Sequence, residues 1–191
     1  MRRLRNIALA VALMTGLATA RAAAGQADDV PKLFGARVQA DTRFQAPFAT
    51  GDFEGDGRQD ALYLVTILPG SAGGGIARDV TVIDGLFGEQ PLGTRPEKLA
   101  LAIVQEGGRR KFLFTGYQGE GVADYFDSPV WQQSPVPIQT ATRGSKTFED
   151  FQRQDRKIKN DFIVVGTEAG IDTALFWSGS GYVLFQPAEE P

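Results

Sequence analysis

The chain has 191 residues, a formal net charge of −3, 23 glycines, and neither cysteine nor histidine. Disulfides, thiol nucleophiles, histidine general bases and Cys/His zinc sites are therefore excluded, and any metal is expected to be a hard cation held by oxygen. A hydrophobic content of 42% with 23% charged residues describes one globular domain, and a glycine excess without a fixed period points to tight turns between short strands.

Residues 1–24 read as a Sec-type signal peptide. Arg2, Arg3 and Arg5 form a basic end, an apolar run follows over residues 7–14, and small residues continue to Ala24, the preferred cleavage point. The apolar run is too short for a bilayer-spanning helix, so no membrane span is expected after cleavage, and the protein is expected in the periplasm or the medium. Four of the 20 basic residues (Arg2, Arg3, Arg5, Arg21) and none of the 23 acidic ones would leave with this segment, taking the net charge from −3 to −7. An acidic surface repels phosphate backbones, which argues against nucleic acid as a partner and is compatible with cations.

Residues 25–45 read as a polar lead-in, with Val30, Leu33, Phe34, Val38 and Phe44 its only sizeable apolar side chains. Residues 46–191 read as a single β domain. The nearly continuous apolar run 61–68, bounded by Asp60 and Pro69, suits a strand buried on both faces. A glycine-rich loop over 69–79 leads to a short strand at 80–83. Residues 98–104 and 111–115 read as a hairpin, because Gly107 and Gly108 supply the positive φ its turn needs. Residues 116–139 read as irregular, interrupted by Pro129, Pro135 and Pro137. The charged stretch 148–160 reads as a short solvated helix. Strands at 161–166, 173–177 and 182–186, separated by short turns, complete an antiparallel meander. The expected fold is all-β, mainly antiparallel hairpins and meander, either blade-like or a small sandwich.

The one constellation with chemical content is Gly51-Asp52-Phe53-Glu54-Gly55-Asp56-Gly57-Arg58-Gln59-Asp60. Counted from Asp52, carboxylates stand at positions 1, 3, 5 and 9, with glycine at position 6. Calcium takes six to eight oxygens at about 2.3–2.6 Å. Side chains of Asp52, Glu54, Asp56 and Asp60 with the carbonyl of Arg58 nearly fill such a shell, with water completing it. Tyr63 at position 12, in place of a bidentate glutamate, excludes an EF-hand. The same residues also suit an ion-free turn in which aspartates cap backbone N–H groups.

Residues 44–65, reading FQAPFATGDFEGDGRQDALYLV, resemble the FG-GAP or VCBS-type repeat of integrin-like propellers, whose core is G-D-F-x-G-D-G-x-x-D followed by an apolar strand. The resemblance implies calcium, held by Asp52, Glu54, Asp56, the Arg58 carbonyl and Asp60. Glu54 departs from the usual Asp or Asn, and its extra methylene weakens the site or places a water between side chain and ion. Only one loop matches, whereas a propeller needs at least about four blades, so a complete propeller is not expected. The ending 174–186 resembles that of small exported bacterial proteins carrying one such loop. The expected function is a non-enzymatic exported protein with a calcium-fixed loop, binding an unidentified protein or glycan. The alternative is a carboxylate-dependent hydrolase acting on an envelope glycan, since paired acids work without histidine or cysteine.

Overall fold

The computed structural model describes residues 29–70, 74–83, 98–105, 108–115, 135–166 and 172–187. The expected signal segment, most of the proline-bearing 116–139 stretch and the turn after residue 166 lie outside them. The elements are α1 (Val30–Phe34), β1 (Val38–Ala40), β2 (Ala49–Gly51), β3 (Asp60–Ile67), β4 (Val80–Ile83), β5 (Lys98–Gln105), β6 (Arg110–Phe114), β7 (Ile138–Ala141), α2 (Lys146–Gln154), β8 (Phe162–Val165), β9 (Thr173–Trp177) and β10 (Tyr182–Phe185). They form the all-β architecture expected from the sequence, as two open sheets.

The first sheet has the order β1-β3-β5-β6-β4. Strands β1 and β2 lie end to end on one edge of β3, pairing with its Val65–Ile67 and Asp60–Leu62 halves respectively. All pairings in this sheet are antiparallel except that of the edge strand β4, which runs parallel to β6. The expected hairpin is the β5–β6 pair, with Gly108 at φ 103° in its turn. The second sheet is an antiparallel meander in the order β7-β8-β9-β10.

Alternation along the strands sorts side chains into three cores. Leu62, Leu64, Leu101, Ile103, Phe112 and Phe114 project from the first sheet onto Ile163, Val165, Leu175 and Trp177 of the second. The intervening residues Tyr63, Val65, Ile67, Ala100 and Ala102 project from the opposite face of the first sheet onto α1. Phe162, Val164, Ala174 and Phe176 project from the outer face of the second sheet onto α2. The result is a helix, two packed sheets and a second helix in successive layers. It explains why β3 is apolar on both faces: one meets a sheet and the other a helix. Each fully buried Leu, Ile or Phe here contributes about 1.5–3 kcal/mol relative to exposure.

The 25–45 segment is more than a polar lead-in, because Val30, Phe34 and Val38 are fully buried under the first sheet. Val30, Leu33 and Phe34 have helical spacing, but the helix is only five residues long and Gly35 (φ 104°) breaks it from the strand that follows, so the pattern does not extend far enough to be read. Arg37, itself 8% exposed, fastens this segment to the glycine-rich loop. Its guanidinium donates to the carbonyls of Leu68 at 2.7 Å and Gly74 at 3.2 Å.

The charged stretch also differs from a solvated helix. Ser145 caps α2 by accepting the Phe148 N–H at 3.2 Å, while Glu149 in the first turn and Arg153 in the last complement the helix dipole. Phe148 and Phe151 share the inner face and meet the ring of Phe162 at 5.9 and 5.3 Å. Charges therefore occupy only the outer surface of a helix that covers the second sheet.

Candidate functional site

The acidic loop leaves β2 at Gly51 and returns into β3 at Asp60, at the end of the molecule where the first sheet approaches the β7–β8 end of the second. Each of its carboxylates has a defined partner. Asp52, 8% exposed, accepts the N–H of Gly55 at 2.8 Å through Oδ1, and that of Gly57 at 3.1 Å through Oδ2. The same Oδ2 accepts Nη2 of Arg143 at 2.9 Å. Asp60, at the start of β3, accepts the Phe53 N–H at 2.8 Å and so closes the loop from the opposite side. Asp56 is exposed and accepts the Arg58 N–H at 2.8 Å. Glu54 pairs with Arg110 of β6.

Two glycines allow this path. Gly55 (φ 81°) and Gly57 (φ 84°) both occupy the left-handed region, which turns their N–H groups onto the one Asp52 carboxylate. Their surroundings differ. A Cβ on Gly55 would lie 2.2 Å from Oδ1 of Asn160, whereas one on Gly57 would meet nothing within 4 Å. Gly57→Ala is expected to cost about 1–2 kcal/mol, the ordinary penalty of a left-handed alanine. Gly55→Ala adds a collision with the Asn160 amide, which must swing aside, and is expected to cost about 1 kcal/mol more. Chemical denaturation of both variants measures the difference, and equal losses would show that the loop does not seat on Asn160.

Phe53, between the two capped aspartates, is fully buried and belongs to the core between the sheets. Its ring anchors the loop from beneath while the second sheet grips it from above. Asp161, just before β8, receives the Asp52 N–H at 3.1 Å and the Arg143 N–H at 2.9 Å. Arg143 and Asp161 are thus the residues that sequence reasoning did not place in the site. Asp161 was only the first residue of an expected strand, and Arg143 lies 91 positions from the aspartate it reaches.

Next to the loop, Arg110 lies over the Trp177 ring, 4.8 Å from its centroid. Trp177, Tyr182 and Phe112 pack edge to face with centroids 5.1–5.6 Å apart, and Gln105 Nε2 donates to the Tyr182 hydroxyl at 2.8 Å. Burial, reinforced by the negative charge of Asp60, pushes the Tyr182 phenol well above its ordinary pKa. That hydroxyl therefore stays neutral and serves the packing of the core.

The donor set of the loop is chemically suited to a hard cation, since it consists of carboxylates and a backbone carbonyl. In the arrangement present, however, these oxygens cap N–H groups and meet arginines, and no group of three or more acidic side chains among the described residues gathers closely enough to hold a metal ion. No helix among the described residues is long and apolar enough to cross a membrane. Comparisons with models of protein families, with curated proteins and with solved structures return no match for this chain.

Proposed function

We propose that this chain is an exported, non-enzymatic binding protein in which the 52–60 loop clasps the two sheets together and takes calcium as an additional brace. The single observation that carries the reading is the position of Asp52: one buried carboxylate joins two loop N–H groups to Arg143, in the turn that follows β7 of the facing sheet. The likeness of residues 44–65 to an FG-GAP or VCBS-type repeat supports the calcium component. So does Gly57, which bends the chain at position 6 of the loop, where calcium loops require a sharp turn. The ion would be held by Asp52, Asp56, Asp60 and the Arg58 carbonyl, with Glu54, already paired with Arg110, acting through water. Asp52 and Asp60 already serve backbone N–H groups of the loop rather than standing free as the acid pair of a glycosidase. This favours a binding role over the hydrolase.

An ion-free clasp is the second reading, favoured by the Arg143 guanidinium, a cation already seated on Asp52. Thermal unfolding separates the two. An ion bound only by the folded chain, present at about a hundred times its Kd, raises stability by about 2.7 kcal/mol, or roughly 5–10 °C in midpoint for a chain of this size. Asp56→Ala is the informative variant, because Asp56 is exposed and holds only the neighbouring Arg58. It is expected to abolish the calcium response while leaving the midpoint in chelator nearly unchanged. Identical wild-type midpoints in calcium and in chelator would leave the ion-free clasp.

A further inference from the structure

A cavity of about 380 Å³ opens beside the loop, between the 155–160 turn and the β9–β10 turn. Its lining includes Arg156, Lys157, Lys159, Asn160, Trp177 and Ser178. The three cations are exposed, and no described residue forms an ion pair with their side chains. In a chain of net negative charge, three such cations around one concavity concentrate positive potential where a ligand would sit.

The turn that presents them is rigidly seated. Ile158 is fully buried in the core under α2, its N–H bonded to the Asp155 carbonyl at 3.2 Å and its own carbonyl to Gln152 Nε2 at 2.9 Å. The Lys157 N–H is held by Asp155 Oδ1 at 2.9 Å, and Asn160 sits against Gly55 of the acidic loop. With Ile158 plugged into the core, Lys157 and Lys159 on either side of it are left outside. Glu54 also borders the cavity, but its charge is met by Arg110.

We infer that this cavity binds an anionic saccharide unit, a sugar bearing a carboxylate. The carboxylate is held by Arg156, Lys157 and Lys159, the apolar ring edge by Trp177, and the ring hydroxyls by the Asn160 amide and by Ser178 Oγ, which acts as acceptor because its own hydrogen is donated to the Gly181 carbonyl at 2.8 Å. Arg110 already covers a face of that indole, and only 8% of the residue is exposed. A nucleobase, which needs an open aromatic face, is therefore poorly served, whereas the C–H edge of a sugar needs only the margin of the ring. The volume lies within the range of small-molecule sites and suits one or two sugar units. The inference rests on the non-catalytic binding reading above and is independent of calcium.

Calorimetric titration of the whole mature protein with tri-galacturonate tests it, with neutral maltotriose and inorganic phosphate as controls. The uronate is expected to bind, several-fold more weakly at about 0.5 M than at about 0.05 M salt, while maltotriose does not bind. The double variant Lys157→Ala/Lys159→Ala is expected to lose about tenfold or more in affinity, with an unfolding midpoint close to wild type because both side chains are exposed. Equal affinity in the double variant, equal binding of maltotriose, or no uronate binding would overturn the assignment. Phosphate displacing the uronate at equal concentration would also overturn it, reducing the cavity to a simple anion site. Titrations in calcium and in chelator keep the two proposals apart. Uronate binding without calcium stabilisation removes the ion from the loop and leaves this inference standing, whereas calcium stabilisation without uronate binding does the reverse.

Discussion

Asp52→Ala is expected to lower the unfolding free energy by about 3 kcal/mol. The substitution strips the acceptor from the Gly55 and Gly57 N–H groups and removes the carboxylate that Arg143 reaches from the turn after β7 of the facing sheet. Each of the two N–H groups left without an acceptor costs about 1 kcal/mol or more, while Arg143, whose side chain is 53% exposed, adds only a fraction because water meets its charge. Asp52→Asn retains one side-chain oxygen in the same shape and is expected to lose about half as much. Urea denaturation at neutral pH measures both. A loss below about 1 kcal/mol for the alanine variant would mean that the loop hangs from β2 and β3 without binding the sheets together. The same result would remove the observation on which the clasp reading stands.

Phe34→Ala is expected to cost about 3–5 kcal/mol, the usual range for deleting a fully buried aromatic ring. The ring has no exposed surface and packs with Val30 and Val38 beneath Tyr63, Val65 and Ala102. For a domain with marginal stability this is a large fraction of the total, so removal of residues 29–40 altogether is expected to leave a chain that does not fold cooperatively. Calorimetric unfolding checks both changes. A loss under about 1 kcal/mol for Phe34→Ala would return this segment to the status of a dispensable lead-in.

The acidic loop shows how far local sequence reaches. The spacing of Asp52, Glu54, Asp56 and Asp60 around Gly55 and Gly57 was legible as a turn, and both glycines adopt the positive φ that such a turn requires. Direction was not legible. Whether a carboxylate points inward to a common centre or outward to an arginine depends on what the fold brings near it. Glu54 meets Arg110, 56 positions away, and Asp52 meets Arg143, 91 positions away. Nothing in a window of ten residues carries that information. The cationic turn at 155–160 was hidden for a related reason: mixed charges in sequence read as a solvated face, and only the burial of Ile158 shows which of them surround a cavity.

Strand formation was determined locally. Continuous apolar runs bounded by glycine, proline and aspartate were enough for β3, β5, β6 and the β8–β9–β10 meander, because period and turn chemistry act over a few residues. Strands β1, β2 and β7 (VQA, ATG and IQTA) carry no continuous apolar run, unlike the comparably short β8 and β10, and they exist through pairing to the apolar strands beside them. The parallel register of β4 against β6 likewise follows from the placing of the sheet as a whole. Composition by itself excluded thiol, disulfide and histidine chemistry and left oxygen and the basic side chains as the available chemistry. Only the tertiary structure decided how they were used: packing two sheets face to face brought Asp52 to Arg143, 91 positions away, and burying Ile158 under α2 left its neighbours Arg156, Lys157 and Lys159 outside, beside one cavity.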